Sequence, residues 1–291
     1  MPDSSILRVL WLAVVLLLPA GHAAAAQPTD VQCCQGISAA ELARATAIME
    51  RQYLYDCCDD TVATCLREQA QACPLAGRLA GEICRRVGAG QDDAAIDQAL
   101  RLRARSMLPS GSKPAMDLEG APSVGDAAAP VLLVEYACLR CPFCARMTPQ
   151  LVEDIQSGAL KGKVRLVYRV FPIKGHEGST EGGLAALAAH AQGKFWEFLG
   201  LAYERFDNFS IEKLRPWAEE LGMDMAAYDT AVADPAVRQR LVDSKREGMA
   251  AGVNATPTLF IDGRLYQGEL DRVQLVDVLE EEYERVTAAA R

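Results

Sequence analysis

Cys141 and Cys144 stand three residues apart in the run Cys141-Pro142-Phe143-Cys144. On a helix that spacing sets two thiols about one turn apart, close enough to join as a disulfide. Pro142 suits the first position of a helix, where its missing N–H would have had no partner in any case. Cys141 then meets the unpaired backbone donors of a helix start, which favour a thiolate. A thiol of lowered pKa is a good attacking or leaving sulfur in disulfide exchange, and the less exposed Cys144 can resolve the mixed disulfide. A C-x-x-C pattern alone also occurs in zinc knuckles and structural disulfides, so its surroundings must decide.

Those surroundings read as an α/β unit over residues 131–288. Val131 to Tyr136 is an apolar run of strand length that leads through a turn into a helix starting at Pro142. Residues 164–171, VRLVYRVF, alternate and are β-rich, which predicts the next strand. Helical spacing fills 180–252. Two strands then follow, Thr258 to Ile261 and Arg264 to Gln267, joined by the hairpin pair Asp262-Gly263, and a helix over 270–287 closes the unit. Pro257 cannot donate to a sheet ladder, so it belongs at a strand entrance, where a cis bond from Thr256 is compatible with the pattern.

Seven of the ten cysteines lie before residue 85, namely Cys33, Cys34, Cys57, Cys58, Cys65, Cys73 and Cys84. The segment 31–108 that holds them predicts a small all-α domain. Ser38 and Glu41 form a capping box ahead of a helix, Pro74 starts a second helix that Gly88 and Gly90 end, and a third runs from about Asp93 to Met107. Neighbouring α-carbons about 3.8 Å apart are too close for the usual disulfide, so Cys33-Cys34 and Cys57-Cys58 should each bond elsewhere. Cys73 and Cys84 share a helix face and can staple it to two neighbours, although the connectivity stays open. One early cysteine is left over, and Cys138 is its one non-catalytic partner within the chain. Residues 109–130, rich in Pro and Gly, read as a linker.

Residues 1–26 have the form of a secretory signal peptide: Arg8, the apolar run Leu10 to Leu18, then Pro19, Gly21 and Ala23 to Ala26. Many cysteines suit the oxidising, periplasmic or otherwise exported compartment this implies. No later run reaches membrane-spanning length, so no membrane insertion is expected after cleavage. The net charge of -9 and the lack of a basic stripe argue against nucleic acid as a partner. Only His176 and His190 follow the signal, leaving little material for a histidine-driven hydrolase or metal site. No cofactor is implied. Cys138 extends the pair to C-x-x-C-x-x-C, but no fourth ligand stands near for a closed metal site. It reads instead as a small buried residue, a third redox thiol or a partner for the early segment.

Residues 120–288 resemble the DsbA-like branch of the thioredoxin superfamily. The resemblance rests on GAPSVGD at 120–126, VEYACLRCPFC at 134–144, FPIKGHEG at 171–178, GKFWEFL at 193–199 and GVNATPTLFIDGR at 252–264. It implies a thioredoxin fold with a helical insertion, and thiol-disulfide exchange with protein substrates and a redox partner protein. It also implies a cis Thr256-Pro257 bond facing Cys141 to help bind substrate backbone, and Glu135 as a buried acid that assists proton movement. Strongly oxidising DsbA proteins carry His where this chain has Phe143, which implies a less oxidising poise. Threonine before the proline is shared with disulfide isomerases. More weakly, residues 72–105 resemble the helical module of CcmH-like cytochrome c maturation proteins, without that family's redox C-x-x-C. An oxidase is the first reading, an isomerase or reductase, including one for cytochrome c maturation, the second. A thiol-based binder of copper or zinc is the reading from another class.

Overall fold

A computed structural model describes residues 34–69, 72–109 and 113–289. The signal segment 1–26 and Cys33 lie outside them. Helix α1 (Ala39–Met49) starts at the expected capping box: Ser38 N–H donates to Glu41 Oε2 at 2.7 Å, and Glu41 N–H donates to Ser38 Oγ at 3.3 Å. Helix α3 (Pro74–Gly88) begins with proline in its first turn, and α4 (Asp93–Met107) is capped by the Asp92 carboxylate. Between them lies α2 (Val62–Gln69), which the sequence reading missed. Its two turns carry too few apolar positions to show a period, and a crosslink from Cys65 to Cys58 holds it.

The four helices enclose one apolar cluster that includes Ile48, Leu79, Ile83 and Ile96. Three disulfides tie it together: Cys34–Cys84, Cys57–Cys73 and Cys58–Cys65. As the spacing required, Cys57 and Cys58 take different partners. Cys73 and Cys84 anchor the two ends of α3 to two separate segments.

The second cluster of elements is built on a five-stranded sheet of order β1-β3-β2-β4-β5. Strands β2 (Val131–Ala137) and β3 (Val164–Val170) are parallel, and β4 (Thr258–Ile261) runs antiparallel to β2. β5 (Arg264–Leu265) closes a hairpin on β4 through Asp262 and Gly263, both at positive φ, 47° and 80°. That backbone is why an Asp-Gly pair stands there. A further edge strand, β1 (Ser123–Val124), pairs with β3 inside the stretch read as linker. Two residues are too few to alternate visibly.

The central strand β2 is covered on both faces, which explains its nearly continuous apolar run. Leu133 faces α5 (Pro142–Gln156) and α11 (Arg272–Ala289), in a cluster with Leu151, Ile155 and Leu275. Val134 and Tyr136 face the other side with Phe171 and Phe260. There α10 (Pro235–Ala250) comes so close that a Cβ on Gly248 would lie 2.8–2.9 Å from the Phe171 and Tyr136 rings. Helices α6 (Ser179–Ala191), α7 (Phe195–Glu204), α8 (Ile211–Glu220) and α9 (Met225–Ala233), together with α10, form the insertion between β3 and β4. This is the thioredoxin fold with helical insertion that the motifs implied.

The helical cluster rests on α11 through buried charge. Arg103, fully buried, donates to Glu82 at 2.8 Å, Asp277 at 2.6 Å and Glu281 at 2.6 Å. Three carboxylates around one guanidinium satisfy its planar fork of donors. Arg264 of β5 similarly pairs with the buried Glu282 at 2.6 Å.

Candidate active site

Strand β2 ends at Ala137, and the chain turns through Cys138 and Arg140 so that Cys141 caps the start of α5. The turn is closed by Cys141 N–H donating to the Cys138 carbonyl at 3.1 Å. β4 lies beside β2 in the sheet, so the bond preceding it, a cis Thr256-Pro257 peptide, faces the same turn. Cys141 Sγ donates to the Thr256 carbonyl at 3.0 Å. Cys141, Cys144, Thr256, Pro257 and Glu135 therefore converge from three separate stretches of chain. Cys141 and Cys144 are 2% and 0% exposed, while the intervening Phe143 is 53% exposed and marks where the site meets solvent.

The two sulfurs differ sharply in charge preference. Cys141 is brought down to about 5: the Cys144 thiol donates toward it, and the Thr256 side chain and the Cys144 and Phe143 backbone N–H groups add to this against the cost of burial. The Thr256 carbonyl acts in the opposite sense, since it can only accept from the protonated thiol. The Thr256 hydroxyl is buried with no other partner, which leaves it free to serve the thiolate. Cys144 is pushed far up, first by burial and then by its bond to Cys141 and the nearby charge of Glu135. At neutral pH the pair is one thiolate and one thiol.

Glu135 sits in the middle of β2, completely buried. Thr148 of α5 donates to its Oε1 at 2.7 Å, and its Oε2 has no hydrogen-bond partner among the described residues. Burial raises it to about 7; Thr148 opposes that and the Cys141 charge adds to it. A carboxyl so placed can hold or release a proton near neutrality beside Cys144. Thr148 was not singled out from the sequence. Seven residues into α5, it reads as an ordinary helix position, and only the packing of α5 on β2 makes it a partner of Glu135.

Cys138 is a free, buried thiol raised by desolvation, with His176 Nδ1 at 3.6 Å and the Arg140 N–H at 3.4 Å from its sulfur. It makes no bond to the early cysteines described. Among the described residues no group of three or more His, Cys, Asp or Glu side chains is placed to hold a metal. His190 lies apart from the site and contacts the Gly120 carbonyl. Phe195 and Phe198 are core residues.

The sequence model of a family described as thioredoxin matches residues 117–281, more than half of the chain. The chain belongs to the thioredoxin family. Among solved structures, the chain is similar to a thioredoxin-like oxidoreductase from Silicibacter pomeroyi. The two are 28% identical with a TM-score of 0.50, and the match covers 57% of this chain and 94% of that one. It shares its fold with alpha-DsbA1 of Wolbachia pipientis, at 19% identity and a TM-score of 0.52 over 60% of this chain and 97% of that one. Among curated proteins it matches the Na(+)/H(+) antiporter NhaA 1 of Mycolicibacterium vanbaalenii, 32% identical over 155 residues. That match takes in 52% of this chain and 25% of the antiporter, so the chain spans about a quarter of the length of the curated relative. Among the described residues no helix is long and apolar enough to cross a membrane.

Proposed function

We propose that this protein is an exported thiol-disulfide oxidoreductase that oxidises thiols of protein substrates through Cys141 and Cys144. The observation that carries the reading is the split between the two sulfurs, Cys141 held near 5 and Cys144 held as a thiol. In the oxidised pair, a substrate thiolate attacks Cys141 Sγ and breaks its bond to Cys144, which leaves and takes up a proton. A second substrate thiolate then attacks the substrate sulfur of the mixed disulfide and expels Cys141 as its stabilised thiolate. Two electrons pass from the substrate dithiol to the pair, and a redox partner protein must remove them. Because stabilising the thiolate stabilises the reduced form, it drives the reaction in this direction. Glu135 is placed to exchange the Cys144 proton, and the cis Thr256-Pro257 peptide to bind substrate backbone beside Cys141.

Three disulfides in the helical cluster support an oxidising compartment, in keeping with the signal-like residues 1–26. We take that cluster, 31–108, as a separate domain joined through 109–130 to the catalytic one, 131–288, with the end of the connecting stretch adding β1 to the catalytic sheet. The test is the reduction potential of the Cys141-Cys144 pair equilibrated against glutathione, with Cys141→Ser as control. A value above about -200 mV is expected. One near about -270 mV, that of thioredoxin, would make the pair a reductant and overturn the oxidase reading.

A further inference from the structure

Two tyrosines outside the C-x-x-C motif meet behind it. Tyr168, fully buried on β3, stands directly opposite Glu135 of β2 in the parallel register. Its hydroxyl lies 2.9 Å from that of Tyr203, which is 5% exposed and belongs to α7 of the insertion. Tyr203 in turn reaches the Cys138 carbonyl at 3.4 Å, the same carbonyl that receives the Cys141 N–H.

The order of protons along this chain follows from its end. A carbonyl oxygen can only accept, so Tyr203 donates to Cys138, and Tyr168 must donate to Tyr203. The reverse order would leave the Tyr168 proton with no acceptor among the described residues, at a buried site where an unmade hydrogen bond costs about 1–3 kcal/mol. The negative oxygen end of Tyr168 is then left for the Glu135 side. That arrangement disfavours a second negative charge there and agrees with a Glu135 Oε2 that finds no donor.

We propose that Tyr168 and Tyr203 are a positioning pair: Tyr203 braces the Cys138 carbonyl of the turn that presents Cys141, and holds the Tyr168 proton away from Glu135. The inference rests on the thiol-exchange reading of the site, because it assigns the pair to Glu135 and Cys141 as reacting groups. The titratable groups whose charge acts on the hydroxyls are Glu135 of β2 and Cys144 of α5 for both, and Cys138 of the turn for Tyr168. In Tyr203→Phe the Tyr168 hydroxyl loses its acceptor, and with no partner in hydrogen-bond reach its positive end is no longer held away from Glu135, which favours the carboxylate through the dipole alone.

The experiment is a titration of the Glu135 carboxyl by carbon NMR in the full chain, run beside the pH profile of Cys141 alkylation. Tyr203→Phe is expected to lower the Glu135 midpoint by about half a unit or more, roughly a threefold or greater change in its proton affinity. The double variant Tyr168→Phe/Tyr203→Phe, with no hydroxyl left to turn, should return the midpoint to that of Tyr168→Phe alone. Tyr266→Phe, which removes a hydroxyl bonded to the Glu269 carbonyl elsewhere in the fold, should not move it. A Glu135 midpoint unmoved by Tyr203→Phe, or one that the double variant fails to restore, overturns the proposal. Should Tyr203→Phe not fold, the wild-type protein decides. The protected Tyr168 hydroxyl proton must show cross-peaks to the Tyr203 ring, and contacts directed at Glu135 instead would overturn the proposal. A wild-type Cys141 with an ordinary alkylation profile and no disulfide exchange would refute the functional reading itself, an outcome distinct from either failure of the tyrosine pair.

Discussion

In the helical cluster, Cys34, Cys57, Cys58, Cys65, Cys73 and Cys84 are joined across sequence separations of 50, 16 and 7, whereas Cys138, Cys141 and Cys144 at the site remain thiols. Both groups are mostly buried, so burial does not set the difference. In the helical cluster the sulfurs crosslink distant pieces of a small core and restrict the unfolded chain. At the site the backbone of one helix start, a neighbouring thiol and a residue just ahead of another strand surround Cys141, and they stabilise its charge. Crosslinking acts mainly on the unfolded state, while the charged sulfur acts on the reaction.

The largest effect should come from breaking the site alone. Cys141→Ser is expected to reduce disulfide exchange to background while leaving the thermal midpoint, with the three structural disulfides intact, within a few degrees of a Cys141→Ser/Cys144→Ser control. Substrate-linked turnover shows this directly. Retained exchange would mean that the helical cluster carries redox chemistry, and the contrast between the two regions would fail.

Replacing both partners of each structural disulfide by serine should leave exchange intact and lower stability in the order of loop length. The chain-entropy argument gives about 4 kcal/mol for Cys34–Cys84, about 3 for Cys57–Cys73 and about 2 for Cys58–Cys65. Denaturant midpoints of the three double variants test the order. A loss of exchange in any of them at temperatures where the protein is folded would tie the cluster to the site.

The smallest effect sharpens the comparison through pH. Cys141 is depressed from 9.0 to about 5, so the folded reduced protein gains stability as pH rises through that interval and loses it as pH falls toward 5. Glu135 runs the other way: raised from 4.5 to about 7, it costs stability as pH rises across that window, through burial in either redox form and through the Cys141 charge in the reduced one. The melting temperature of reduced protein should therefore gain on that of oxidised protein between about pH 5 and about pH 8. The structural disulfides, present in both forms, cancel. An unchanging gap would show that Cys141 carries no stabilised charge.

The strands and helices of both regions were legible where their patterns are long or punctuated: the apolar run of β2, the Pro142 helix start and the Asp262-Gly263 hairpin around the site, and the Ser38-Glu41 box in the helical cluster. What escaped was short. The two turns of α2 and the two residues of β1 lack room for a period. At the site, Cys141, Cys144, Thr256, Pro257 and Glu135 stood out by motif or resemblance, whereas Thr148, Tyr168 and Tyr203 matter only for where their hydroxyls point.

By itself the sequence determined that two thiols share a helix start, that neighbouring cysteines must bond elsewhere, and that a proline opens a strand. Those follow from local geometry and spacing. Tertiary structure alone decided which cysteines pair and which carboxyl lies buried without a second donor. It also decided which carbonyl meets the Cys141 sulfur and which way a pair of hydroxyls must point. These depend on contacts between residues 7 to 115 positions apart, and only packing brings such groups together.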